Sequence, residues 1–82
     1  MGECGTRVAL NDVEVWGLVL ETGDDLRVRF ALDDWERLGF REGQRVPVRV
    51  PGREDVWLFV TGVTSLPPIV WVTMGLRVRV AG

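Results

Sequence analysis

The chain has 82 residues, which is room for one small domain (1–82) and a marginal core. It contains no His, Lys or Tyr and a single Cys, and all ten basic residues are Arg. That excludes imidazole bases, Schiff-base lysines and thiolate–imidazole zinc sites, while a net charge of −2 opposes non-specific binding of polyanions.

The chain opens on Gly2-Glu3-Cys4-Gly5, and residues 1–5 are expected to fray. Cys4 has no second cysteine to pair with inside the chain. No basic segment precedes an apolar one, and no apolar run approaches the ~18 residues that span a bilayer. The expectation is a cytoplasmic protein with no membrane span. Arg7–Leu10 reads as a first strand, and Asn11-Asp12 as a two-residue hairpin turn into Val13–Leu20, which is apolar on both faces. Thr22-Gly23-Asp24 makes the next turn. Leu26-Arg27-Val28-Arg29-Phe30 then alternates apolar and charged residues, the period of a half-buried strand.

Asp34–Leu38 predicts one helical turn. Asp33 stands at its cap with Glu36 three residues on, Gly39 follows as its stop, and Phe40 is placed to pack back on Trp35. Arg45–Val50 alternates again, and Pro51-Gly52 suits a type II turn. Val56–Val60 and Ile69–Thr73 are apolar on both faces. Pro67-Pro68 breaks the ladder between them. Met74-Gly75 predicts a tight turn into a last alternating strand, Leu76–Val80. Gly17, Pro47 and Gly62 lie inside strand patterns and mark bulges, bends or an edge. The sum is an all-β fold: a small antiparallel β-barrel of six or seven short strands, its open end plugged by the helical turn.

Residues 35–50 run Trp-Glu-Arg-Leu-Gly-Phe-Arg-Glu-Gly-Gln-Arg-Val-Pro-Val-Arg-Val. A helical turn followed by L-G-hydrophobic-x-x-G-Q-x-V-x-V-x-V resembles the second half of TOBE/Mop domains. These are small barrels associated with oxyanion binding and with transporter ATPase subunits. The segment is also similar to AbrB/MazE-type swapped-hairpin barrels. The resemblance implies a small barrel and, for the TOBE kind, a small oxyanion held at a subunit interface. Val8–Val13 keeps only Asn11 of the anion-binding motif of TOBE/Mop domains and sets Asp12 beside it, so no ligand residue carries over.

The carboxylates Asp33, Asp34 and Glu36 read as helix-end residues, and Asp24-Asp25 and Glu54-Asp55 as turn residues. Ser65 and the five threonines have no base beside them but carboxylates. The expectation is a non-enzymatic protein with no catalytic residue, metal or cofactor. Two features point instead to binding. Arg27/Arg29, Arg45/Arg49 and Arg77/Arg79 each project from one face of a strand. On adjacent strands they would form a basic stripe for an anion, nucleic acid or acidic protein; otherwise they pair with Glu14, Glu21 and the turn acids as a solvated surface. In addition, if Val56, Leu58 and Val60 fill the barrel, Trp57 and Phe59 point outward. Trp71 and Trp16 join them as candidate interface residues. The function expected first is therefore a binding or assembly module, a homo-oligomer (dimer first) joined through its apolar strands. A nucleic-acid-binding barrel and an oxyanion site between subunits stand as alternatives.

Overall fold

The structure, a computed structural model, describes residues 5–23 and 25–76. Six strands and one helix follow in order: β1 (Thr6–Leu10), β2 (Val13–Thr22), β3 (Asp25–Ala31), α1 (Leu32–Leu38), β4 (Arg45–Arg49), β5 (Val56–Leu66) and β6 (Ile69–Gly75). All pairings are antiparallel, and the strands close into a barrel in the order β1-β2-β3-β6-β5-β4. The closing ladder is short, with Ala9 opposite Arg49 and Leu10 opposite Val48. No described helix is long and apolar enough to cross a membrane.

The period of two sorts the side chains. Val8, Leu10, Val28, Phe30, Val46, Val48, Leu58, Val60, Val70, Val72 and Met74 fill the interior, all buried. Trp35 of α1 closes one end of it, stacked on Phe30 with ring centroids 5.9 Å apart. Phe40 also packs on Trp35, tilted, with ring centroids 6.0 Å apart. No polar side chain is buried among the described residues.

The turns explain the hairpins. Asn11 and Asp12 both adopt positive φ (52° and 66°), the requirement of a type I′ turn, and residues of this type tolerate it best after glycine. Arg53 N–H donates to Val50 O at 3.1 Å across Pro51-Gly52, with Gly52 at φ 82°, as a type II turn demands. Gly62 follows a bulge in β5, where Val60 pairs with Met74 and Gly62 with Thr73, leaving Thr61 as the extra residue. Gly17 answers a different need: a Cβ there would stand 2.7 Å from Val28 Cγ1 and 3.1 Å from Phe30 Cε1.

Three expectations are corrected. Met74-Gly75 is not a turn, because β6 continues through both residues. Met74 points inward, fully buried, between Val60 and Leu26, and this interior site overrides the turn signal of the glycine. Pro67-Pro68, joined by a cis peptide bond, is itself the hairpin turn between β5 and β6, with Leu66 facing Ile69 across it. The helix begins at Leu32, two residues before the expected start, with Ala31 and not Asp33 at its cap and no side-chain cap bond. A backbone bond does that work: Leu32 N–H donates to Pro68 O at 2.9 Å. Asp33 and Asp34 then lie in the first turn, where carboxylates favour the helix dipole, and Asp34 pairs with Arg37. The expected stop is as read, with Gly39 at φ 72° donating to Trp35 O at 3.3 Å. Cys4, Asp24 and the expected strand Leu76–Val80 beyond its first residue lie outside the described residues.

The crowding at Gly17 gives a test. Val28 is β-branched and fully buried, so it has no room to yield. Gly17→Ala is expected to destabilise the fold by about 1–3 kcal/mol, the usual range for overpacking, read as a lower urea midpoint with unchanged slope.

Candidate functional site

With the interior filled by one face of every strand, the opposite residues stand outside. The ladder between β4 and β5 places Arg45 opposite Phe59 and Pro47 opposite Trp57. The Arg45 guanidinium lies over the Trp57 ring, 4.9 Å from its centre, yet Trp57 remains 52% exposed and Val56 beside it 37%. The ladder between β3 and β6 places Arg29 opposite Trp71 and Arg27 opposite Thr73. Both guanidinium groups reach the Trp71 ring, Arg27 at 5.0 Å and Arg29 at 6.0 Å from its centre, and Trp71 is half-buried.

The four candidate interface aromatics therefore do not form one patch. Trp57 and Phe59 share one face. Trp71 faces Thr64, seven residues further along β5 than Trp57, or roughly 20 Å of strand. Trp16, 60% exposed, stands on β2 with Gly5 against its ring. It also lines a cleft of about 390 Å³ with Val13, Val15, Leu38 and Phe40, between the β1–β2 hairpin and α1.

The arginines are divided too. β3 and β4 are separated by β6 and β5 on one side and by β2 and β1 on the other, so Arg27/Arg29 and Arg45/Arg49 do not form a continuous stripe. Arg77 and Arg79 lie outside the described residues. Four arginines pair with acids: Arg7 with Glu14 at 3.8 Å, Arg53 with Glu21 at 2.9 Å, Arg37 with Asp34, and Arg49 with Asp55. The last pair is bidentate, with Arg49 Nε at 3.1 Å from Oδ1 and Nη2 at 3.2 Å from Oδ2. The hydrogen bonds, and then the charge of Asp55, raise the Arg49 pKa above its ordinary value. Arg27, Arg29 and Arg45 have no carboxylate within ion-pair distance among the described residues, and all three rest on tryptophan.

At the end of the barrel away from α1, a second cleft of about 350 Å³ opens over Leu26, Val48 and Leu58, with Glu21, Asp25, Arg53 and Glu54 at its rim. No three His, Cys, Asp or Glu side chains among the described residues converge on a metal-sized site. The Gly43-Gln44 corner, which carries the family resemblance, does structural work that its sequence did not announce. Gly43 N–H donates to Val60 O, and Val60 N–H donates back to Gln44 O at 2.9 Å. The Glu42 carboxylate accepts from Val63 N–H at 3.2 Å. The corner thus grips β5 on both sides of its bulge.

Arg45 shields one side of Trp57. In a variant lacking Trp16 and Trp71, Arg45→Ala is expected to increase acrylamide quenching of the remaining exposed fluorescence, while Trp35, which is buried, stays protected.

No protein-family model, curated protein or solved structure matches the chain. What stands of the resemblance at residues 35–50 is architecture alone, a small closed antiparallel barrel of six strands.

Proposed function

We propose that the chain is a non-enzymatic binding and assembly module, and that a second copy of itself docks on the outer face of β4 and β5. The observation that carries this reading is Trp57, 52% exposed on a barrel whose interior is already filled. No rearrangement within one copy brings that ring inside, because its strand neighbours Val56 and Leu58 hold the other face and a one-residue slip would expose Leu58. Pro47 and Phe59 extend the apolar surface around it, and tryptophan is a favoured anchor of protein interfaces. A domain of this size buries a smaller share of its unfolded surface than a larger one does, and self-association is a common remedy.

The oxyanion that the TOBE/Mop resemblance would add between subunits finds less support. The small hollow beside the Asn11-Asp12 turn is lined by Asp12, Asp55 and Arg49 but not by Asn11, and the one guanidinium there is already engaged by Asp55. Asn11 N–H is likewise spent on Pro47 O at 3.0 Å.

Light scattering on the eluting protein at tens of micromolar should give twice the 9.2 kDa chain mass. Trp57→Ser should weaken the dimer about 30-fold or more, the scale of an interface anchor worth ~2 kcal/mol. A wild-type monomer at that concentration disproves the proposal.

A further inference from the structure

The Arg27–Trp71–Arg29 cluster stands apart from the Trp57 face and asks for a different ligand. Arg27 and Arg29 project from the same side of β3, two residues apart, roughly 7 Å along the strand. Two like charges this close are unfavourable unless something offsets them. Arg49 and Arg53 answer with a carboxylate; these two share one indole. The ring quadrupole offsets part of the charge without accepting hydrogen bonds from the guanidinium groups in the way a carboxylate does. Their in-plane N–H donors remain available.

The surroundings restrict what could use those donors. Trp71 is flanked by Thr73 and Ile69 on its own strand and by Thr64 on β5, with Gly62 on the Thr73 side and the exposed Leu66 on the Ile69 side. On the Thr73 side the neighbours are small, so there the cluster stands above a low floor, and none of the clefts described above reaches it. Among the described residues no enclosed small-anion site lies here, so a ligand must lie across open sheet. The barrel is closed, so this face offers a peptide no free strand edge for main-chain pairing. What the face does offer is one aromatic ring with two guanidinium groups beside it and their hydrogen-bond donors, the combination that takes stacked bases and phosphates together.

We infer that Arg27, Trp71 and Arg29 form a binding site for single-stranded nucleic acid. The guanidinium forks take phosphate oxygens, and an unpaired base stacks on the Arg–Trp layer. The overall charge of −2 repels polyanions elsewhere on the molecule, so binding is confined to this face.

The test is fluorescence anisotropy of a labelled oligothymidine of ~12 nucleotides at about 50 mM salt. Wild-type protein should bind it. The Arg27→Gln/Arg29→Gln double variant should bind at least tenfold more weakly, and the slope of log affinity against log salt should flatten by about 1.4, two phosphate contacts' worth for a single strand. Arg49→Gln and Arg53→Gln, which remove acid-paired arginines, should leave the affinity within about twofold. The double variant should keep the wild-type mass by light scattering, so failure of this site and failure of the dimer are read separately. Absence of wild-type binding, or binding that the double variant retains, overturns the inference. Displacement of the oligonucleotide by polyglutamate at equal charge also overturns it, and reassigns the face to an acidic protein.

Discussion

Two residue pairs between β1 and β4 close the sheet, and the closure fixes where every other side chain can go. A closed sheet has no unpaired edge, which removes the commonest route to uncontrolled strand addition. It also has an interior of fixed size. Here Val, Leu, Met and Phe side chains from one face of each strand fill it, with Trp35 as the stopper at one end. Apolar residues in the alternate register therefore have nowhere to go but outside, which is where Trp16, Trp57 and Trp71 are found.

The outer tryptophans and the arginines solve each other's problem in part. An arginine laid on an indole covers apolar surface with its methylene stem while keeping its donors in water. This economy appears twice, at Arg45 on Trp57 and at Arg27 and Arg29 on Trp71. The remaining ion pairs are exposed, as at Arg7–Glu14 and Arg49–Asp55, and pairs of that kind add little to stability. Their importance lies in the sorting. An arginine bound by an acid has its donors engaged, whereas an arginine on a tryptophan keeps them in water.

Most of the strands were legible in the sequence because their signals are local. Leu26–Phe30 and Arg45–Val50 alternate cleanly, Asn11-Asp12 marks its own turn, and Gly39 marks the end of the helix. The misreadings arise where a distant partner decides. Met74-Gly75 resembles a turn in isolation, and only the interior position of Met74 between β3 and β5 shows that the strand continues. Asp33 resembles a helix cap, but Pro68, more than thirty residues away, supplies the carbonyl that caps Leu32. The arginine stripe depended on strand order, which no local pattern carries. The outward direction of Trp57 followed from the period of two; its separation from Trp71 did not, because it depends on the register and length of β5.

Magnitudes indicate what a partner on the Trp57 face must supply. A tryptophan buries about 150–250 Å², so a ring half exposed keeps on the order of 100 Å² to offer, or about 2.5 kcal/mol at 25 cal/mol/Å². The stacked Arg45 contributes only about 0.5–1 kcal/mol at an exposed site, so it does not compete with a partner surface for the ring. Association costs about 4–15 kcal/mol, however, which Trp57 alone does not offset. Pro47 and Phe59 must therefore join it in the contact, and a symmetric pairing meets the need because it counts each of these residues twice. Such a contact occupies β4 and β5 and leaves β3 uncovered. Each copy would then keep its Arg27–Trp71–Arg29 face open, and two weak sites on one particle would hold a long single strand more tightly than either does alone.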